Sequence, residues 1–568
     1  MLTGTVVELL EKSVERNPEK AALRQKVGGG WQEITYRTLG QISDGVAAGL
    51  MADGFGAADH AALLAPSSPR WLYAYFGILK AGGIVVPVDK ELKSGELKHV
   101  LADSESRVLF TDSTYLRTVL QIADELPRLQ QVVLLDEGRT PSDEAAPARW
   151  RGRSGKLLER LKSLEALLVQ KPSPLPPRAP SDTAVIIYTS GTTGRAKGAM
   201  LSHGNIVSNI DGAIRHLGLD QTIHTLSLLP ISHVFEQVCG VLLPLSLGGT
   251  VSFCESVKKF AENLAEVRPT FFLGVPALYR KMLDRIVKQI GSNPVSRALF
   301  SFPLTRPLVK SRLRKRLGGA TTFISGGAAL DTAVSEGFER LGLVIFQGYG
   351  ITETSPVIAA ECATGRKTGT VGRPLGEVEI RIDEPNEEMV GEILVRGPNV
   401  MQGYYKDPAA TEQALKDGWY RTGDLGRVDA QGYLTICGRV KNVIVTPNGK
   451  NVYPEEVEIE ILKSPLVAEV VVYGHRSDPH TEEIHAMIFP DEEGVGEYCE
   501  REKRAPLSAE ELETLLQGEV TAACQGLASY KRVKKIMVRK DEFPKTTTRK
   551  IKRYELHLPP SRGGSSES

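Results

Sequence analysis

Residues 188–200 read YTSGTTGRAKGAM, and this stretch decides the fold. Thr189, Ser190, Thr192 and Thr193 set aliphatic hydroxyls among Gly191, Gly194 and Gly198, with Arg195 and Lys197 beside them. Glycine lets backbone N–H groups turn toward a ligand at dihedrals that other residues avoid. Successive N–H groups arranged in this way form a nest for an anion. Hydroxyl donors and a lysine point charge suit phosphate oxygens. The apolar run 184–187 just upstream reads as a buried strand, so the loop leaves a strand end, where α/β proteins place ligand loops. The segment after the loop reads as a helix start. The motif is not a Walker A loop, which needs Gly-Lys followed by Ser or Thr. A flexible Gly/Ser/Thr linker is the bland alternative, set against the tight flanking elements.

Working outward, 568 residues exceed one core and suggest about three to four domain-sized units. A hydrophobic content of 41% with 24% charge is that of a soluble globular protein. The net charge of +1 provides no global field for nucleic acid or an anionic membrane. Cys239, Cys254, Cys362, Cys437, Cys499 and Cys524 form no CxxC pair, which points to free thiols in a reducing compartment. Glu8 and Glu11 interrupt what a signal peptide would keep apolar. No run approaches the roughly 18 apolar residues of a membrane span. A cytoplasmic location is expected, with no nucleic acid partner.

Strand-like runs at 61–65 and 84–88 flank a helical pattern at 71–80, a βαβ unit with a parallel sheet. A helical piece at 156–169 interrupts a Pro-, Arg- and Ser-rich stretch that ends in the polyproline-like KPSPLPPRAPSD. Further strands are expected at 251–254, 271–275, 322–325 and 344–347, and helices at 258–267 and 276–287. After about Gly369, short segments such as GEVEIRI, GEILVRG and GYLTICG suggest a small antiparallel barrel or distorted sheet over 369–437. Residues beyond 440 read as mixed α+β, and 558–568 as a disordered tail.

Other segments, in order, are LPISHVFEQ (229–237), FISGGAALD (323–331), QGYGITETSP (347–356), GWYRTGD (418–424), GRVKNVIVTPNGKNVYPEEVE (438–458) and PKTTTRKIKR (544–553). Together with the opening loop they resemble the adenylate-forming superfamily of acyl- and aryl-CoA synthetases, luciferases and peptide-synthetase adenylation domains. The resemblance runs from about residue 5 to 555. It implies a large N-terminal domain (1–440) of parallel α/β sheets with the β-rich subdomain. A small mobile α+β domain (441–557) follows. It also implies a two-step reaction. A carboxylate attacks the α-phosphate of ATP and releases pyrophosphate; a thiol then displaces AMP from the acyl adenylate.

What the resemblance implies for single residues suits their chemistry. Thr189, Ser190, Gly191, Thr192, Thr193, Gly194 and Lys197 would hold the β- and γ-phosphates. Glu353 would be the magnesium-associated glutamate, since Mg²⁺ takes one or two carboxylates and completes its shell with phosphate oxygens and water. Thr352 would contact the α-phosphate. Tyr349, within Gln347, Gly348, Tyr349 and Gly350, would stack on adenine. Gly326, Gly327 and Ala328 would leave room for base and acyl chain. Asp424 would accept both ribose hydroxyls, with Arg439 beside it. His233 would line the acyl pocket near the reacting carboxylate. Lys441 would be the hinge, and Gly449 with Lys450 would lie along the CoA arm. Plainer roles stay open: a turn cap for Asp424, core packing for Tyr349 and His233.

The basic segment carries Lys550 where the family has the lysine that contacts the substrate carboxylate and α-phosphate; Lys552 is the alternative. Arg549 stands where the family usually has Gly, and Ala196 where it often has Pro.

Within the superfamily, LPISHVFEQ, YGITETSP and 260–282 look most like long-chain fatty acyl-CoA synthetases. That implies a fatty acid, ATP and CoA as substrates with Mg²⁺ as cofactor. An aryl or shorter acid, or a carrier-protein acceptor, is the alternative, and a binding protein that keeps only the fold is a third. Residues 238–249 read equally as an acyl tunnel lining or as core. The basic pattern 308–318 allows peripheral membrane contact at most, and a homodimer is left open.

Overall fold

The computed structural model describes residues 2–136, 153–168, 174–189, 195–292, 307, 310–311, 322–446, 450–478, 481–546 and 550–556. Ser190, Gly191, Thr192, Thr193, Gly194, Gly449, Arg549, the tail 558–568 and most of the basic pattern 308–318 lie outside the described residues. The chain divides into two compact units. The first holds Met1–Ile380 and Val395–Tyr420; the second holds Arg381–Leu394 and Arg421–Ser568.

Two large sheets build the first unit. In the nine-stranded sheet the order is Arg373–Pro374, Val357–Ala360, Ile345–Gly350, Thr322–Ser325, Phe271–Gly274, His224–Ser227, Thr250–Phe253, Ala21–Val27 and Gly30–Thr35. The six strands from Ile345–Gly350 to Ala21–Val27 run parallel, and the edges are antiparallel. The strands Phe271–Gly274 and Thr322–Ser325 are buried along nearly their whole length because a parallel sheet is covered on both faces.

The eight-stranded sheet has the order Gly403–Tyr404, Lys197–Ser202, Thr183–Thr189, Ile84–Pro87, His60–Leu64, Val108–Thr111, Gln131–Leu134 and Leu161–Ser163. The βαβ unit forms as its pattern predicts. His60–Leu64 lies parallel to Ile84–Pro87, joined by helix Pro69–Lys80. That helix starts where the Ser68 hydroxyl accepts from the Trp71 N–H and Pro69 fits the first turn. It is buried on every side from Trp71 to Lys80, as a helix between packed layers must be.

Three local expectations are corrected. The segment after the opening loop is a strand: Thr183–Thr189 and Lys197–Ser202 form an antiparallel hairpin with Thr189 opposite Lys197. The helix begins only at His203, where Ser202 and Asn205 make a reciprocal capping box. Residues 156–169 are not one helix; helices Arg153–Glu159 and Leu164–Leu167 flank the short strand Leu161–Ser163, which pairs with Gln131–Leu134. Sheet pairing at that edge outweighs local helix propensity. In 258–267 the α-helix starts at Phe260, after a 3₁₀ turn Val257–Lys259.

In the second unit, Val467–Asp478, Thr481–Pro490 and Lys535–Val538 form a three-stranded mixed sheet. Helices Pro454–Ile461 and Ala509–Ala523 contribute Val457, Ile461, Leu516 and Val520 to a core with Val470, Val472, Ile484 and Ile488. The hairpin of residues 421–428 with Leu434–Arg439 belongs to this unit. Gly438 there lies against Tyr453 and Glu455, and Asn386 Nδ2 donates to Tyr453 Oη at 3.4 Å. Compactness thus begins the unit's second segment at Arg421, while the sequence reading drew its boundary at 440.

Candidate active site

Parallel strands deliver their C-terminal ends to one edge of a sheet, and ligand loops gather there. In the nine-stranded sheet Gly274 is level with Ser325, and Ser325 with Gln347. Gly326, Gly327 and Ala328 therefore emerge beside Gln347, Gly348, Tyr349 and Gly350. Residues 228–233, which end in His233, leave the neighbouring strand His224–Ser227. Three of the sequence-predicted segments thus stand side by side for a topological reason.

The eight-stranded sheet meets them. Ser67, after strand His60–Leu64, accepts from the Ile231 N–H at 3.2 Å. Asp89, after strand Ile84–Pro87, places Oδ2 3.5 Å from His233 Nε2. The Met401 N–H donates to the Glu353 carbonyl at 2.8 Å, and the Tyr404 hydroxyl to Glu353 Oε1 at 2.9 Å. The strand ends of both sheets in the first unit therefore face one another across the segments that carry His233, Glu353 and Lys197.

Local backbone chemistry holds this geometry. The 3₁₀ turn Thr352–Thr354 follows the strand, and the chain returns as Val357–Ala360. A Cβ at Gly350 would collide with the Pro356 carbonyl, which accepts from the Ile351 N–H. That close approach requires glycine. Asn209 and Asn399 both donate to the Thr354 carbonyl and brace the turn. Gln347 exchanges hydrogen bonds with Glu361, whose carboxyl burial pushes up.

Lys197 stands in the hairpin strand, its Nζ 5.4 Å from the centre of the Tyr404 ring and 3.7 Å from Asp407 Oδ2. Asp407 also caps helix Pro408–Ala414 through the Ala410 N–H. Burial, reinforced by Glu353, pushes the Tyr404 phenol above its ordinary range, so it stays a proton donor. Thr189 ends the opposing strand, and Thr352 and Tyr349 are half-buried.

The space at Gly326 is taken by the Phe235 ring; a Cβ there would come within 2.8 Å of it. Gly327 has φ +83° and, with Ala328, is exposed. Phe235 opens a π-helical stretch, Phe235–Leu242, a rare form that is frequent at functional sites. On it Glu236 is fully buried, and desolvation pushes its carboxyl up to about 8. Residues Val238, Cys239, Val241, Leu242, Leu243 and Leu245 are all buried.

The second unit holds the remaining residues. Asp424 is 4% exposed and lies directly opposite Arg439, whose Nε donates to Asp424 Oδ1 at 2.8 Å. Lys441 sits in the 3₁₀ turn Val440–Asn442 and is exposed, as is Lys450. Lys550 is exposed at the end of a small hairpin in which Lys545 bridges Ile551 and the Thr546 N–H donates to the Lys550 carbonyl at 2.8 Å. Lys552, the alternative, contacts Glu555 at 3.0 Å.

Sequence reasoning missed Asp89, Phe235 and Tyr404. Only the Asp-Pro helix start after Tyr404 was visible in QGYYKDP, and it says nothing of what the phenol touches. Among the described residues no cluster of three His, Cys, Asp or Glu could hold a metal. The donor set fits an ion held chiefly by a nucleotide's phosphates, with Glu353 as its protein carboxylate. Among the described residues no helix is long and apolar enough to cross a membrane.

This is the arrangement of an adenylate-forming enzyme, and comparison places the chain accordingly. It belongs to the AMP-binding enzyme family, whose model matches residues 10–405, while the model for the AMP-binding enzyme C-terminal domain matches 456–550. It is 31% identical over 488 residues to the long-chain-fatty-acid–CoA ligase FadD15 of Mycobacterium bovis, covering 81% of this chain and 78% of that protein. It is 29% identical to the long-chain-fatty-acid–CoA ligase of Escherichia coli O157:H7, covering 97% and 94%. Among solved structures, the o-succinylbenzoate CoA synthetase of Bacillus subtilis in complex with its acyl-adenylate intermediate is similar at a TM-score of 0.74 and 26% identity, covering 98% and 99%.

Proposed function

We propose that the protein activates a fatty acid, of long chain, in two steps: ATP-dependent formation of an acyl adenylate, then transfer to CoA. The products are acyl-CoA, AMP and pyrophosphate. The observation that carries the reading is the meeting of strand ends from both sheets at Glu353, Tyr404 and Lys197. In the first step an oxygen of the fatty carboxylate bonds to the α-phosphorus as the bond to pyrophosphate breaks. In the second the CoA thiolate attacks the acyl carbon and AMP leaves. The protein's contribution is charge neutralisation and in-line positioning.

In this reading Lys197, with Thr189 and the loop Ser190, Gly191, Thr192, Thr193 and Gly194, binds the departing phosphates. Glu353 would hold Mg²⁺, which supplies further neutralisation of the triphosphate. Thr352 and Lys550 stabilise the α-phosphate. Tyr349 stacks on adenine beside Gly326–Ala328 and Gln347–Gly350, and Asp424 with Arg439 takes the ribose. His233 lies beside the reacting carboxylate, with Asp89 holding its ring. Lys441 is the hinge, and Gly449 and Lys450 follow the CoA arm. The buried apolar turn after His233 supports a pocket for an acyl chain. The long-chain names of the relatives support the substrate class. A cytoplasmic location with peripheral membrane contact at most belongs to the same reading.

A second reading, with an aryl or shorter acid, is supported by the structural likeness to an o-succinylbenzoate CoA synthetase. Pyrophosphate release across acids of graded chain length separates the two. Highest kcat/KM for chains of about twelve carbons or more is expected. Preference for an aryl acid would overturn the long-chain assignment, and no release with any acid would sink the enzyme reading. Replacing CoA by a carrier protein's phosphopantetheine arm tests the acceptor.

A further inference from the structure

We infer that Tyr404 is a positioning residue that ties the magnesium carboxylate to the phosphate-binding lysine, through its hydroxyl on Glu353 and its ring against Lys197. This rests on the reading of Glu353 and Lys197 given above.

Three observations carry it. First, the Tyr404 hydroxyl donates to Glu353 Oε1 at 2.9 Å. A hydrogen bond to an ionised carboxylate is charge-assisted and directional, so it fixes the carboxylate's rotation. Second, the Lys197 ammonium lies 5.4 Å from the Tyr404 ring centre, within cation–π reach. Third, Tyr404 itself is rigidly placed. Its short strand pairs with Lys197–Ser202, Tyr404 being level with Ala199, and its N–H donates to Thr411 Oγ1 at 2.9 Å. The Met401 N–H ties the same segment to the Glu353 carbonyl. One side chain on a sheet edge therefore sets two charges of opposite sign, one for an ion and one for phosphate oxygens.

The two halves of the side chain separate by substitution. Tyr404→Phe removes the hydroxyl and keeps the ring; Tyr404→Leu removes both. Calorimetric titration of the full chain with ATP, with Mg²⁺ present or with the metal chelated, reads binding without turnover. Tyr404→Phe is expected to weaken binding of the magnesium complex about 10-fold, the lower end of what loss of a metal-orienting partner costs. Metal-free ATP should bind within about twofold of the unsubstituted chain, because the ring under Lys197 remains. Tyr404→Leu should weaken both forms. Glu353→Gln should reproduce the selective loss, and adding Tyr404→Phe to it should cost nothing more.

A selective effect of Glu353→Gln with none from Tyr404→Phe would overturn this inference alone. Equal weakening of both ATP forms by Tyr404→Phe would overturn it too, since the hydroxyl would then act on phosphate rather than through Glu353. No effect of Glu353→Gln would overturn the metal reading and this inference with it.

Discussion

Lys197 in the first unit and Lys550 in the second are held in different ways. Lys197 is placed by sheet register, opposite Thr189, against the Tyr404 ring and near Asp407. Lys550 closes an exposed hairpin in a segment dense with cations. Four of its basic neighbours are tied to carboxylates. Lys531 pairs with Glu456, Lys545 with Glu469 and Glu542, Lys552 with Glu555 and Arg553 with Glu458. A run of positive charge that composition would offer to nucleic acid is thus partly spent on intramolecular carboxylates. The contrast teaches that a cation's role follows from what fixes it, not from how many stand nearby.

The largest expected effect tests the second lysine. Lys550→Ala should lower the rate of adenylation by about 100-fold or more, the order seen when a donor to developing charge is removed. Thioester formation from a supplied acyl adenylate should stay within a few-fold. Equal loss in both half-reactions, measured separately by pyrophosphate exchange and by thioester release, would erase the distinction between the two lysines. Lys197→Ala should act next, raising KM for ATP roughly 10-fold while leaving KM for CoA unchanged, as loss of one point charge on phosphate requires.

A smaller effect separates structural cations from functional ones. Lys545→Met should leave the kinetics of both half-reactions within twofold. Its side chain and that of Glu469 are each 15% exposed, so removing one partner should cost on the order of 1–3 kcal/mol, less than for a fully buried pair. Thermal unfolding of the intact chain reads this; a kinetic defect without destabilisation would move Lys545 into the reactive set.

Glu236 extends the comparison to carboxylates, because Glu353 is half-buried with the Tyr404 hydroxyl on it while Glu236 is fully buried and desolvation outweighs the Ser227 hydroxyl beside it. Burial pushes its carboxyl up to about 8, above the ordinary value of 4.5. The protonated form is therefore favoured on folding, and that stability is present below about pH 4.5 and lost as pH rises toward 8. Glu236→Gln should melt close to the unsubstituted chain near pH 5 and a few degrees above it near pH 8. A difference that does not change with pH would show that the side chain is ionised when folded.

Much of the first unit was legible from residues. The parallel strands Phe271–Gly274 and Thr322–Ser325 centre on the apolar triplet FFL and the apolar pair FI, and both fall where the pattern put them. Helix Pro69–Lys80 announces itself by Ser68 and Pro69. The strand Lys197–Ser202 was not legible, because six residues just before a capped helix carry too short a pattern to tell strand from helix start. Leu161–Ser163 was missed because three residues at a sheet edge have no alternation to read.

The site divides along the same line. Sequence determined the chemistry of the groups: hydroxyls and a lysine of a kind that suits phosphate, a glutamate of a kind that suits a hard cation, an aspartate and an arginine. These follow from functional groups and local spacing, which survive in one dimension. Tertiary structure alone decided which groups meet. Tyr404 reaches Glu353 across 51 positions, and Asp89 reaches His233 from the other sheet. Such pairs depend on strand order and register, which are set by the burial of whole sheet faces and leave no mark on the two residues that touch.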